Sequence, residues 1–290
     1  MRRVALSLLA LALVLAPVEG LARRHEGGTE LLGSERRYRT RPYTYGANAE
    51  GFFERDLPRA KAPGTRRIAV LGDSMTWGTT SPEEAWPRVV ERALGVEVLN
   101  FSTYGYDIRQ SRATLPEALA HAPDLVLLGA YWNDHVPTRA ITVGTAPFVV
   151  WLETRGPLWR ASAAWRALDG YFHRDQWTFE PEPGFFEREL RALAEDVGDL
   201  PLGVVVLAPH ALSPGVEACV AYGVPRSQCE LSSRLTTEML TTSRALGLRS
   251  IDATGALDAP SPPANAADWE HPGPAGHAAI GQHVARSLSP

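Results

Sequence analysis

The chain has 290 residues, of which 44% are hydrophobic and 21% are charged, so it is long enough to bury a substantial core as one domain with appendages. Its formal net charge of -4 gives no electrostatic reason to expect nucleic acid or an anionic membrane surface as a partner. Lys61 is the only lysine, which argues against Schiff-base chemistry, and the glycine patterns that bind phosphates and dinucleotides do not occur, so no cofactor is expected.

The amino terminus has the pattern of a targeting segment. A basic start precedes an uncharged run over residues 4–16, and Gly20 and Ala22 supply the small residues that a signal peptidase requires. The run is shorter than the about 20 residues that a membrane-spanning helix needs. Residues 1–22 are therefore predicted to be a signal peptide, with an uncleaved N-terminal anchor as the alternative. The protein is expected to be exported to the periplasm or the extracellular space, and to meet a membrane only through an uncleaved segment.

The only two cysteines are Cys219 and Cys229, ten positions apart. In an exported protein such a pair most simply forms one disulfide that closes a local loop. Two cysteines without a neighbouring histidine cluster make a poor zinc site, and no His-Glu-x-x-His pattern or further acidic cluster occurs, so no metal is expected.

Residues 23–65 are rich in Arg, Gly, Pro and Tyr and show little periodicity. They are predicted to form an extended N-terminal arm, with a disordered stem as the alternative. From residue 66 to residue 290 the pattern becomes that of one folded domain, in which short apolar runs alternate with segments of helical periodicity. The chain is thus predicted to consist of a leader, an arm and a single domain.

Five apolar runs in this domain are predicted to be strands: Ile68–Leu71, Val96–Phe101, Asp124–Ala130, Leu202–Ala208 and Leu248–Asp252. Five segments are predicted to be helices: Pro82–Leu94, Ile108–Ala122, Phe185–Val197, Leu231–Leu246 and Pro274–Leu288. Continuous apolar strands separated by helices indicate a parallel sheet that is covered on both faces. The predicted fold is therefore α/β, a flavodoxin-like three-layer α/β/α sandwich with a five-stranded parallel sheet in the order 2-1-3-4-5.

Residues 135–182 interrupt this alternation and are predicted to be an insertion. The segment has no convincing strand–helix unit, yet it contains four of the eight tryptophans, which are Trp151, Trp159, Trp165 and Trp177. A small helical satellite whose tryptophans pack on the domain is the favoured interpretation, because aromatic clusters are more often packing than recognition. A lid or an acyl-binding surface is the alternative.

Residues that could carry chemistry lie beyond the predicted strands. Ser74 follows the first strand, Gly105 the second and Asn133 the third, while Asp268 and His271 precede the last helix. In open α/β sheets ligands bind at the carboxyl ends of strands, so these residues are expected to converge on one site. A serine hydroxyl needs a base to accept its proton, and His271 is the candidate for that base.

The order of these blocks resembles that of the SGNH hydrolases, also called the GDSL esterase/lipase superfamily. The resemblance covers residues 66–288 and rests on four matches: Gly72-Asp73-Ser74, Gly105, Asn133-Asp134 and Asp268-x-x-His271-Pro272. The sequence departs from the usual family pattern at three places: Met75 replaces leucine, Ser102 stands where glycine is common, and Tyr131-Trp132 widen the third block. The resemblance implies a serine hydrolase that needs no metal.

The resemblance also implies a role for each matched residue. Ser74 would be the nucleophile, and His271 would accept its proton and later return it to the leaving alcohol. Asp268 would hold the imidazole in one tautomer. The oxyanion would be bound by the backbone N–H groups of Ser74 and Gly105 and by the side-chain amide of Asn133.

Several other polar residues near these blocks have simpler interpretations. Asp73 is interpreted as a turn or cap residue, and Asp134 as a side chain that bonds local backbone. His210 follows the fourth strand and is interpreted as a loop histidine without a role, with substrate contact as the alternative. His277 and His283 fall within the last helix and are assigned to structure or solvent.

The expected function is hydrolysis of carboxylic esters through an acyl-enzyme, acting on an ester-bearing small molecule, a lipid or an acylated polysaccharide. The same residues can pass the acyl group to a sugar hydroxyl, so an O-acetyltransferase or deacetylase of cell-envelope or exopolysaccharide is an alternative. A carbohydrate-binding domain without catalysis is a second alternative, although binding alone requires no nucleophile and base together. The sequence does not predict an oligomeric state.

Overall fold

The computed structural model describes residues 2–25, 29–32, 37–40, 47–56, 59–78, 81–143, 148–151, 157–173, 180–257 and 268–289. The chain divides into two compact units. The larger unit comprises Gly46–Pro137 and Glu180–Pro290, and the smaller unit comprises Met1–Tyr45 and Thr138–Phe179.

The described strands are, in chain order, β1 (Thr29–Leu31), β2 (Tyr38–Thr40), β3 (Arg67–Gly72), β4 (Glu97–Asn100), β5 (Leu125–Ala130), β6 (Ala140–Val143), β7 (Phe148–Trp151), β8 (Leu202–Val206) and β9 (Arg249–Asp252). The described α-helices are α1 (Arg2–His25), α2 (Ser74–Trp77), α3 (Trp86–Leu94), α4 (Ile108–Leu119), α5 (Pro157–Ala161), α6 (Ala163–His173), α7 (Phe185–Val197), α8 (Val216–Ala221), α9 (Arg226–Ala245) and α10 (Pro274–Leu288).

The larger unit is built on one parallel sheet of five strands in the order β4-β3-β5-β8-β9. Every residue of β3, β5 and β8 is buried, as the continuous apolar runs predict. Because β3 is the first strand of this sheet along the chain and β4 the second, the predicted order 2-1-3-4-5 is confirmed. All five carboxyl ends therefore lie at the same edge of the sheet.

The core of the larger unit lies on both faces of this sheet. Ala69, Leu71, Val126 and Leu128 belong to one cluster of buried residues, to which α4 and α7 contribute. The alternate residues Ile68, Val70, Leu125 and Leu127 belong to a second cluster, to which α3 and α10 contribute. Since successive strand side chains point to opposite faces, the two clusters are the two interlayer cores of the predicted three-layer sandwich.

Three predicted helices differ in their bounds from those observed. The helix predicted from Pro82 is a 3₁₀ turn over Pro82–Glu84 followed by α3, because extended backbone at Ala85 separates them. Helix α4 ends at Leu119 instead of Ala122, whose φ of 49° is not helical. Helix α9 begins at Arg226 instead of Leu231, because its polar first turn carries no apolar periodicity.

The prediction that residues 135–182 contain no strand–helix unit is wrong. Strands β6 and β7 form an antiparallel hairpin, and helices α5 and α6 follow it. Strands of four residues are too short to show a clear alternation. The Trp159 side chain is buried and the Trp165 side chain is exposed, while Trp177 lies outside the described residues.

In the smaller unit, the Glu19 carboxylate of α1 caps the amino terminus of α6. It accepts hydrogen bonds from the Ser162 hydroxyl (2.7 Å) and from the backbone amides of Ala163 (2.9 Å) and Ala164 (3.0 Å). Burial would raise the pKa of Glu19, but these hydrogen bonds and the charge of Arg23 lower it to about 2. Among the described residues, no helix combines the length and apolarity that crossing a membrane requires.

Candidate active site

The turn after β3 presents Ser74 at the carboxyl edge of the sheet. Asp73 caps the short helix α2, because its side chain accepts a hydrogen bond from the Met75 amide at 2.9 Å, so its interpretation as a cap residue is confirmed. Gly72 has a φ of 153°, and a Cβ at this position would lie 2.7 Å from Thr76 Oγ1. The sharp turn therefore depends on a glycine immediately before the Asp73 cap.

The structure brings Ser74, His271 and Asp268 into one chain of hydrogen bonds. The Ser74 hydroxyl lies 2.8 Å from His271 Nε2, although the two residues are 197 positions apart. His271 Nδ1 lies 2.7 Å from Asp268 Oδ2. The other carboxylate oxygen of Asp268 accepts hydrogen bonds from the backbone amides of Glu270 (2.9 Å) and His271 (3.1 Å). Asp268 therefore orders both the loop and the imidazole.

The charges along this chain of hydrogen bonds determine which of its groups carry a proton. Burial would raise the pKa of Asp268, but hydrogen bonds from the His271 ring and backbone lower it to about 2, so the carboxylate is ionised at neutral pH. Burial would lower the pKa of His271, but the hydrogen bond and charge of Asp268 raise it above its usual value. In neutral His271 the proton is then on Nδ1, facing Asp268, and Nε2 can accept the Ser74 proton.

The two other predicted site residues follow the strands on either side of β3. Gly105 has a φ of 73° in the turn after β4, and this turn is tied to β3 because the Thr103 amide donates to the Gly72 carbonyl at 3.1 Å. Asn133 lies in a 3₁₀ turn after β5, and its side-chain amide donates to the Tyr106 carbonyl at 3.0 Å. Both residues therefore lie at the same sheet edge as Ser74.

Buried carboxyl groups surround the site. Burial raises the pKa of Asp73 to about 7, although the Met75 amide, the charge of His271 and the amide of Asn133 act in the opposite direction. Asp134 accepts a hydrogen bond from the Tyr131 amide at 2.9 Å, which confirms its interpretation as a partner of local backbone. Among the residues with described coordinates, no group of three or more His, Cys, Asp or Glu side chains could hold a metal ion.

Three residues near the site have contacts that the sequence interpretation missed. Glu270 accepts a hydrogen bond from the Trp132 indole at 3.2 Å, which joins the third and fourth sequence blocks. His210 is fully buried and its ring bonds the Asp268 carbonyl, a contact that its interpretation as a loop histidine without a role did not include. A tryptophan and a histidine placed just after strands were visible signals, because their ring N–H groups need partners when buried.

The last two histidines of the chain lie in α10. His277 is fully buried and His283 is half-buried. The ring nitrogens of His277 have no hydrogen-bond partner among the described residues. Its assignment to structure is consistent with this position inside the helix packing.

Comparison with known proteins identifies the family of the chain. The model of the GDSL-like lipase/acylhydrolase family matches residues 70–279, which include all the residues of the resemblance. A search of curated proteins finds no significant match. Among solved structures, the chain is similar to a protein of the G-D-S-L family from Desulfitobacterium hafniense DCB-2, with 13% identity and a TM-score of 0.50 over 77% of this chain and 100% of that chain.

Two further solved structures are similar. One is a catalytic mutant of Axe2, an acetylxylan esterase from Geobacillus stearothermophilus (17% identity, TM-score 0.47, 77% of this chain, 94% of that chain). The other is the native aryl esterase of M. smegmatis (19% identity, TM-score 0.44, 77% of this chain, 98% of that chain). The match to the family model confirms the family resemblance and supports an ester-hydrolysing role, and the similarity to the Desulfitobacterium hafniense protein confirms the fold. Because that match extends over well more than half of the residues, the chain belongs to the GDSL-like lipase/acylhydrolase family.

Proposed function

We propose that the protein is an exported serine esterase that hydrolyses carboxylic ester (O-acyl) bonds through an acyl-enzyme. The observation that carries the proposal is the hydrogen-bond chain from Asp268 through His271 to Ser74, with distances of 2.7 and 2.8 Å. These distances are within the range that proton transfer between nucleophile and base requires.

In the proposed first half-reaction, Ser74 Oγ attacks the ester carbonyl carbon while His271 Nε2 takes the hydroxyl proton. The backbone N–H groups of Ser74 and Gly105 and the amide of Asn133 bind the oxyanion of the tetrahedral intermediate. His271 then gives its proton to the departing alcohol, which leaves the acyl group on Ser74. In the second half, His271 removes a proton from water, the resulting nucleophile attacks the acyl-enzyme, and the proton returns to Ser74 as the acid is released.

Export and domain organisation are part of the same proposal. Residues 1–22 act as a signal peptide or as an uncleaved anchor, residues 23–65 form the arm, and residues 66–290 form the hydrolase domain with its insertion at 135–182. The disulfide between Cys219 and Cys229 supports an oxidising destination, because such bonds persist mainly in exported proteins.

A second candidate function is hydrolysis or transfer of acyl groups on a polysaccharide, which Tyr104 favours. The Tyr104 ring is 56% exposed and lies nearly parallel to the His271 ring, with centroids 6.0 Å apart and planes 20° apart. Its neighbour Trp77 meets it edge to face and stacks on Phe53. Because His271 must reach the alcohol oxygen, an exposed aromatic face beside it lies where a sugar ring of the alcohol can stack.

The primary proposal is tested with Ser74→Ala and with an organophosphonate that labels activated serines. We expect loss of p-nitrophenol release from a short-chain ester, and one phosphonate adduct located at Ser74 by mass spectrometry. The matched control is Ser102→Ala. Ser102 lies in the loop after β4, and its buried hydroxyl donates to the Asn100 side chain. This variant should keep both p-nitrophenol release and the phosphonate adduct at Ser74. Unchanged turnover in Ser74→Ala, or labelling at another residue, would exclude Ser74 as the nucleophile. A wild-type protein that neither releases p-nitrophenol nor is labelled would favour a binding domain without catalysis.

A further inference from the structure

The loop that carries Asp268 and His271 is bound along its backbone by the turn that follows β8. The His210 amide donates to the Glu270 carbonyl at 3.0 Å, and the Ala211 amide donates to the Trp269 carbonyl at 3.3 Å. The His210 ring bonds the carbonyl of Asp268 at 2.9 Å. Three consecutive carbonyl groups of the loop, at positions 268, 269 and 270, therefore accept hydrogen bonds from two adjacent residues.

The geometry places a proton on one nitrogen of the His210 ring. Its Nε2 faces a carbonyl oxygen, which can only accept, so Nε2 must carry a proton and donate it. The side chain is fully buried, which rules out the alternative that it contacts substrate directly in this conformation. His210 therefore acts on the site only through the loop that it holds.

Two further contacts support the same loop. The Tyr222 hydroxyl donates to the Asp268 carbonyl at 3.3 Å, and the Tyr222 ring meets the His210 ring edge to face with centroids 5.1 Å apart. Trp269 packs against a buried cluster that contains the Cys219–Cys229 disulfide. The loop is thus held from behind by the segment that runs from His210 through α8 to the start of α9.

From these contacts we infer that His210 is a positioning residue, which fixes the Asp268 backbone so that the Asp268 carboxylate stays aligned with His271. The inference rests on the proposed esterase function, since it assigns a residue that acts through that site. Asp268 Oδ1 is already bonded to the amides of Glu270 and His271. With the Asp268 carbonyl also fixed, little freedom remains for the carboxylate oxygen that faces Nδ1.

Loss of this alignment has two measurable effects. Misplacement of a catalytic group by about 1 Å can lower turnover on the order of 10²-fold. In addition, the hydrogen bond and charge of Asp268 raise the pKa of His271 against the effect of burial, so a displaced Asp268 should lower that pKa. The other charged or titratable groups around His271 are Glu270, Asp73, Tyr104 and His277.

The test compares His210→Leu, which removes the ring N–H, with His210→Gln, whose side-chain amide can still donate to the Asp268 carbonyl. The full chain is used, with p-nitrophenyl acetate as substrate and circular dichroism to verify folding. We expect His210→Leu to lower kcat about 10²-fold with little change in KM. The acid limb of kcat/KM should move to lower pH, and the His271 pKa measured by NMR should fall. His210→Gln should recover most of kcat and the wild-type pKa of His271.

A second variant keeps the test decisive if His210→Leu does not fold. Tyr222→Phe removes the other side-chain donor to the Asp268 carbonyl at a partly exposed position, and we expect a smaller loss of kcat with the same direction of pKa change. The inference is overturned if folded His210→Leu keeps wild-type kcat and His271 pKa, or if His210→Gln is as impaired as His210→Leu. If His210→Leu does not fold, an unchanged His271 pKa and kcat in Tyr222→Phe overturns it. The NMR readout needs no turnover, so it tests His210 even if Ser74→Ala shows the esterase proposal to be wrong.

Discussion

His277 should make the stability of the domain depend on pH in a calculable way. Its ring is fully buried in α10, and burial, with a smaller effect of the charge of His271, lowers its pKa from 6.5 to about 4. Between these values the unfolded chain binds a proton that the folded chain does not. Stability is then fully present above pH 6.5 and falls as the pH drops toward 4. At 1.36 kcal/mol per pKa unit, the loss between pH 7.5 and pH 5 is about 2 kcal/mol.

The perturbation is His277→Leu, which replaces the unpaired ring nitrogens by an apolar side chain of similar size. Urea unfolding of both proteins at several pH values gives the difference in free energy of unfolding, and other titrating groups largely cancel in this difference. We expect the variant to gain about 2 kcal/mol relative to the wild type between pH 7.5 and pH 5. Gln282→Leu, at an exposed position of the same helix, removes no titratable group, so this control should keep the wild-type slope. A difference between His277→Leu and wild type that is constant with pH would refute the reasoning.

Three further predictions concern the site and the layer behind it. Asp268→Asn should lower kcat by about 10⁴-fold, because an amide facing Nδ1 favours the wrong His271 tautomer; steady-state kinetics on the folded variant check this, and a loss below tenfold would contradict it. Gly281→Ala should destabilise the domain by about 1–3 kcal/mol, because the new Cβ would lie 2.4 Å from Val89 Cβ; a higher urea midpoint would show instead that α10 and α3 can separate. Tyr104→Ala should lower the ratio of kcat/KM for an acetylated sugar to that for ethyl acetate about tenfold, as lost stacking implies; equal losses would count against a sugar-binding face.

Much of the fold was predictable because its physical signals are local. The strands β3, β5 and β8 are buried on both sides, and a strand of this kind can be recognised from its uninterrupted run of apolar residues. The helix Phe185–Val197 was predicted with its observed bounds, because its apolar face repeats at helical spacing and Gly198 ends it. The hairpin β6–β7 was not predicted, because its two four-residue strands are stabilised by pairing with each other. Pairing between two segments cannot be recognised from either segment alone.

Some residues of the candidate site could be predicted from the sequence, and others could not. Ser74 and His271 could be predicted as candidates, because their side chains are of the types used as nucleophile and base. The sheet topology brings them together at one edge. The role of the buried carboxyl and imidazole groups behind them was not visible, because it depends on which carbonyl or indole each one meets. Glu270 and His210 are examples, since their partners Trp132 and Asp268 are 138 and 58 positions away.

The disulfide belongs to a small buried cluster on which Trp269 packs, and neither cysteine is part of the two clusters that cover the central sheet. Cleaving that sulfur–sulfur bond should therefore slow turnover while the five-stranded scaffold stays folded. A newly made chain in a reducing compartment would have a formed scaffold but a poorly fastened catalytic loop. Turnover would then stay slow until the disulfide forms, so oxidation would switch the activity on without any separate inhibitor.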